Sequence, residues 1–285
     1  MNAEPWASSI RVVRLGLIGF LGTVFFLEDI GVSAFAMLSW ALWHRGYPDQ
    51  SARAADRALA LSRELGHAHT LAHALGLAGR AAVFARDVAT VHARSNDCVA
   101  IASEHGFPFW ASLGRILQGW ADTQRGEATT GIAIIRDGLA AVEATGARVT
   151  TPLTLTLLAE ALALAGKIEE ALAALDDALA DAAVSGEKGW SAEIHRLRGE
   201  LTGRLPHSDP AKAEDSFRTA LAIAREQGTR GYELRAATSL ARRWREQGRQ
   251  GEARDLLAPV YGSFIEGFDT ADLKDAKALL EELAA

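Results

Sequence analysis

Residues 240–260 read LARRWREQGRQGEARDLLAPV, two helix-forming stretches on either side of Gly248. Ala, Leu, Arg, Glu and Gln all favour the helix, whereas Gly just past a helix end adopts the left-handed conformation that stops it. Within the stretch Ala241 and Ala253 are small, Leu257 is large and Val260 is smaller again. Antiparallel helices approach closely only where facing side chains are small, so this order is the packing pattern of one helical hairpin.

The pattern recurs along the chain. Glycines able to end a helix stand at Gly66, Gly106, Gly146, Gly186, Gly228 and Gly267, separated by 40, 40, 40, 42 and 39 residues. A second series, Gly46, Arg86, Gly126, Gly166, Pro206 and Gly248, marks a turn inside each unit. Seven residues before that turn come Ser39, Gly79, Gly119, Ala159, Gly199 and Ala241. After it come Ser51, Val91, Gly131, Ala171, Ala213 and Ala253, the fifth unit carrying a two-residue insertion, and then Ala58, Cys98, Gly138, Ala178, Ala220 and Val260. Between these two columns lies a mostly larger one: Ala55, Ser95, Ile135, Leu175, Phe217 and Leu257. Repetition at such a period means stacked hairpins rather than one enlarged core. The sequence therefore predicts an all-α solenoid of six antiparallel hairpins, at about 31–66, 67–106, 107–146, 147–186, 187–228 and 229–267. A last helix from Ala271 to Leu283 caps the stack, completing a superhelical domain over 31–285, preceded by a divergent segment at 1–30.

Composition agrees and excludes several functions. Hydrophobic residues make up 49% of the chain and charged residues 23%, enough for an extended core. A net charge of −6 is contrary to the clustered cations that a nucleic-acid surface needs, so no nucleic-acid partner is expected. The single cysteine, Cys98, has no disulfide or CxxC companion, which fits a reducing cytoplasm. Arg11 and Arg14 precede an apolar run from Leu15 to Leu27, and Ala34-Phe35-Ala36 looks like a cleavage site, the layout of a signal peptide. Against that, Glu28 and Asp29 fall in the cleavage region and the first repeat needs Ala34 and Ala36. The run is also shorter than the roughly 20 residues of a bilayer span. An N-terminal helix, packed or partly ordered, is expected, without stable membrane insertion.

The small, small, large, small order resembles the tetratricopeptide repeat, with longer helices than its usual period of about 34 residues. From about Glu28 to Leu283 the chain also resembles the C-terminal helical-repeat region of large bacterial signalling proteins, which place a nucleotide cyclase or kinase domain and a P-loop ATPase ahead of the repeats. Three stretches carry this resemblance: SWALWHRGYPDQ at 39–50, AEIHRLRGEL at 192–201, and ELRAATSLAR at 233–242 continuing into LLAPVYG at 256–262 and EGFDT at 266–270. The resemblance implies a right-handed superhelix with a regulatory or partner-sensing role. The implied partner is a protein or peptide, including an ATPase or cyclase domain of a signalling system. Neither catalytic domain is present in the sequence, so no catalytic residue carries over, and residues 1–27 look unlike what normally precedes the first repeat.

No motif supplies chemistry of its own. The one Gly-Lys pair, Gly166-Lys167, is followed by Ile168 rather than Ser or Thr, and HExxH, GxSxG and GxGxxG patterns are missing from the sequence. His69 and His73 share a helical face at ligand spacing, yet two helical histidines define no metal site, and Cys98 sits in a small packing column. Neither enzyme activity nor a cofactor is expected. Candidate binding residues are instead those whose register faces inward from the first helix of each unit. Trp40, Trp43, His44, His73, Arg80, Phe84 and Trp120 make an aromatic N-terminal end; Arg196, Arg204, Arg235, Arg242 and Arg245 make a basic C-terminal end. Aromatic anchors and arginine forks are enriched in binding patches. The plainer reading of the basic end is that Glu193, Arg196, Glu200 and Arg204 merely pair along their helix; the competing function is an inert or intramolecular structural remnant, a stack that has lost its ATPase and keeps only the surface that once contacted it.

Overall fold

The computed structural model describes residues 28–207 and 209–284. The expectation of an N-terminal helix falls on residues 1–27 and lies outside the described residues. Six hairpins follow in order: α1 (Ile30–His44) with α2 (Pro48–Leu65), α3 (Ala68–Phe84) with α4 (Val88–Glu104), and α5 (Pro108–Gln124) with α6 (Ala128–Ala144). Then come α7 (Thr151–Leu164) with α8 (Ile168–Ser185), α9 (Ser191–Gly203) with α10 (Pro210–Gln227), and α11 (Arg230–Glu246) with α12 (Gln250–Tyr261). Helix α13 (Ala271–Glu282) covers the last hairpin. Among the described residues there is no strand, and no helix is long and apolar enough to cross a membrane.

Local chemistry sets the helix ends. Asp29 and Asp87 accept the amides of Val32 and Thr90, each at 3.0 Å, and so cap α1 and α4. Pro48, Pro108 and Pro210 open α2, α5 and α10, where a missing N–H costs nothing. The hairpins break at the turns the period marks, and Gly66, Gly186 and Gly228 take the left-handed conformation as helix ends. Arg86 occupies the same kind of turn as Gly126 and is left-handed too, with φ 56°.

All four repeat columns are buried throughout. Their closest point lies between α5 and α6, where a Cβ on Gly131 would stand 2.1 Å from Thr123 Oγ1 and 2.4 Å from the carbonyl oxygen of Gly119. In the fifth hairpin a Cβ on Gly199 would stand 2.7 Å from the Phe217 ring.

The solenoid winds until its two ends meet, so that α1 packs against α11. A Cβ on Gly231 would lie 2.6 Å from Trp43 Cη2, and Gly46 sits against Arg230 and Phe264. The loop before α13 completes the junction: Glu266 accepts both the backbone amide and the side-chain amide of Gln50, at 3.0 and 3.1 Å, and Asp49 accepts the amide of Gly267 at 3.1 Å.

These contacts set two expectations. Gly131→Ala or Ala171→Leu should force paired helices apart and cost about 1–3 kcal/mol in urea unfolding, whereas the same changes at exposed helix positions should not. Arg86→Gly removes a left-handed L-residue, worth ~1–2 kcal/mol of strain, against the greater unfolded freedom of Gly. Compared with Arg86→Ala, which likewise removes the charge that acts on Glu160 and Glu193, Arg86→Gly should be more stable by about 1 kcal/mol, and an equal or lower urea midpoint would contradict the account.

Candidate ligand cavity on the inner face

On α3, His73, Leu77, Arg80 and Phe84 follow at intervals of four, three and four, which places them on one stripe of the helix. Trp40 of α1 flanks the stripe on one side, and Trp110 and Leu113 of α5 on the other. With segments 148–150 and 185–187 these side chains, Phe84 excepted, line a cavity of about 600 Å³. The indole N–H of Trp40 donates to the carbonyl of Leu77 at 2.9 Å, and that of Trp110 to His69 Nε2 at 3.2 Å, so both rings are held in place. His73 has Ser33 Oγ 3.1 Å from Nε2 and Glu28 Oε2 3.0 Å from Nδ1. Burial, then the neighbouring His69, brings the His73 pKa down to about 4, so the ring is neutral at physiological pH.

Arg80 is 8% exposed, and its guanidinium carbon lies 4.1 Å from the centre of the Trp40 ring. Its Nε has no hydrogen-bond partner. Burial lowers its pKa to about 10, opposed by the charge of Glu187, which leaves it protonated at neutral pH.

Beyond Arg80 the inner face is filled by the protein itself. Trp43 stacks on Phe84 with centroids 5.2 Å apart, Trp190 lies 5.3 Å from Phe84, and Tyr232 meets Trp43 edge-on at 5.1 Å. His44 packs edge-on against Phe84 and Tyr232. Arg235 sits 5.1 Å from the Trp43 ring centre and donates to the carbonyl of Phe84, joining the sixth hairpin to the second.

Next to this plug is a buried ionic network. Arg196 grips Glu193 with two hydrogen bonds, at 3.0 and 2.7 Å, and reaches Glu200 at 2.5 Å. Arg235 bridges Glu193 at 3.4 Å and Asp272 at 2.8 Å. Burial alone would raise the Glu193 pKa, but Arg196 and Arg235 outweigh it and hold the carboxyl down to about 2.

The structure distributes the residues of the expected groove, aromatic at one end and basic at the other, over several places. Trp40, His73 and Arg80 line the cavity. Trp43 and Phe84 are buried in the plug with His44 at its edge, and Arg196 and Arg235 are buried in the network, because the first and sixth hairpins close on one another. Trp120 is buried and donates to Glu160 at 2.7 Å, on the wall of a separate cavity of about 260 Å³. Arg204 and Arg242 border a cleft of about 340 Å³ between the fifth and sixth hairpins, and Arg245 pairs with Glu282. The pairing of Arg196 with Glu193 and Glu200 along α9 is present, as the plainer reading of the basic end expects. Among the described residues no group of three His, Cys, Asp or Glu side chains could hold a metal.

Sequence reasoning left out Trp110 as a cavity wall and Trp190 and Tyr232 as plug members. A signal was there, since Thr70, Trp110, Thr150 and Trp190 recur every 40 residues and Tyr232 follows 42 later, at or just before the start of the first helix in hairpins two to six.

No family model matches the chain. The chain is 31% identical over 213 residues, or 75% of its length, to an uncharacterized protein of Rhizobium meliloti (strain 1021). The chain spans only 21% of that relative's length. Among solved structures, the apo form of RapI matches with a TM-score of 0.62 at 15% identity, covering 97% of this chain and 92% of that one. A Rap protein complexed with competence and sporulation factor matches at 0.58 and 10% identity, over 100% and 80%. A signal transduction ATPase with numerous domains and a tetratricopeptide repeat sensor, from Pyrococcus horikoshii, matches at 0.52 and 13% identity, over 97% and 40%. The fold is a tetratricopeptide-like α-solenoid.

Glu193 makes the network testable. Its folded-state pKa is depressed, so the stability it contributes is present above the ordinary value of 4.5 and is lost as pH falls towards 2. Urea unfolding of the wild type should show this loss over that window, and Glu193→Gln should flatten it. At pH 7 the same variant leaves Arg196 and Arg235 under-compensated and should cost about 3–5 kcal/mol.

Proposed function

We propose that the chain is a non-catalytic module that binds a peptide or protein segment on the inner face of its superhelix, at the cavity between α1, α3 and α5. The cavity carries this reading: about 600 Å³, walled by rings and aliphatic side chains with a few converging polar groups, the usual build of a ligand site. Fold neighbours lend support, since one is a Rap protein in complex with competence and sporulation factor and another has repeats described as a sensor. We take the role to be partner sensing in bacterial signalling, with an ATPase or cyclase domain as the component that reads the bound state. The longer Rhizobium relative suits repeats that work beside other domains.

A purely structural role is the second reading, and burial of Trp43, Phe84, Trp120, Arg196 and Arg235 in the protein's own contacts favours it for those positions. Screening the immobilised full chain against a random-peptide display library separates the two. Binding predicts enrichment of a related set of peptides, with affinity reduced about tenfold or more by Trp40→Ala, the loss expected for an aromatic anchor. If no peptide family is enriched, the structural reading takes its place.

A further inference from the structure

Arg80 and the buried arginines of the ionic network face opposite circumstances. Arg196 and Arg235 are surrounded by carboxylates, whereas among the described residues no carboxylate comes within ion-pairing distance of Arg80, whose Nε is also without an acceptor. Removing a guanidinium from water is costly unless an anion answers it. What compensates Arg80 here is the face of Trp40, and the rest of its fork borders the cavity.

Of the other charged groups around the cavity, Glu187 offsets Arg80 only through space, without a direct ion pair. Arg148, at the mouth, is held 2.5 Å from Asp181. His73 faces Glu28, and Glu187 has a buried Oε2 without a hydrogen bond. Two carboxylates on the walls repel a doubly charged phosphate far more than a singly charged carboxylate. A carboxylate also matches the planar guanidinium fork. The apolar part of the lining includes Leu77, Trp110, Leu113 and Val149.

We propose that the cavity takes the carboxylate of a peptide, at its C-terminus or on an Asp or Glu side chain, with an adjoining aromatic or large aliphatic residue seated against Trp110 and Leu113. Arg80 is the anchor. This rests on the peptide-binding reading and adds which peptide chemistry the site selects.

The test uses the full chain and three fluorescein-labelled degenerate pentapeptide pools rich in Phe, Leu and Trp. The first has a free C-terminus and no Asp or Glu, the second an amidated C-terminus with one central Asp or Glu, and the third is amidated and without acid. The third pool should bind about tenfold or more weakly than the better of the first two, the usual loss for a charge-assisted hydrogen bond. Which of those two binds better identifies the carboxylate's source. Arg80→Gln should abolish the difference between pools and Arg80→Lys should restore part of it. Val149→Trp, at an exposed rim position, should weaken the preferred pool at least tenfold without touching Arg80, so it decides the matter should Arg80→Gln fail to fold. Equal binding of all three pools overturns the carboxylate assignment while peptide binding stands. Undiminished binding of the preferred pool to Val149→Trp overturns that assignment as well. Absence of binding by every pool overturns both.

Discussion

The meeting of the first and sixth hairpins depends on a hydrogen atom. Gly231 lies against the Trp43 ring so closely that any side chain would occupy the ring's own space, with a Cβ 2.6 Å from Cη2. Because that position is Gly, Trp43 can reach Phe84 and Tyr232, and Arg235 can bind the end of α3. The Gly231–Trp43 contact stands beside the Gln50–Glu266 and Asp49–Gly267 hydrogen bonds in joining the two ends. With the ends joined, the inner face is divided into a filled centre and separate hollows.

This explains what was legible in the sequence and what was not. Hairpins, turns and columns rest on contacts between residues tens of positions apart within one repeat, so the 40-residue period displays them directly. Helical register turns Trp43 and Arg235 inward. Their fate, however, depends on how far each hairpin rotates relative to the last, summed over five junctions, and no local pattern in the chain encodes that sum. The pairing of Arg196 with Glu193 and Glu200 is an i+3 and i+4 relation and is readable. The addition of Arg235, 42 residues from Glu193, is not. Trp190 escaped because it stands in a short 3-10 turn (Lys188–Trp190) just before α9, where helical register gives no direction.

The two classes of buried arginine also give the site its contrast. Around Glu193 the charges are matched, and matched burial serves to fix one arrangement of hairpins five and six against hairpin two. Around Arg80 they are not matched, and an unanswered buried donor is a feature that folding alone does not favour. The inner-face stripe of α3 carries both conditions, since Arg80 lines the cavity and Phe84, one helical turn on, belongs to the plug.

That adjacency ties the cavity to the closure. The walls at Trp40 and Arg80 are one turn from Trp43 and Phe84 on the same two helices, and a helix turn is stiff compared with the loops around it. The plug therefore sets the spacing of α1 and α3 at the cavity as well as at the centre, and it holds Trp40 over Arg80 before any ligand arrives. A preformed anchor of this kind lowers the ordering cost of binding, because the guanidinium and its aromatic support already share one geometry. The closed ring and the cavity are then parts of one design, in which the contacts that fill most of the inner face keep the remaining hollow in shape.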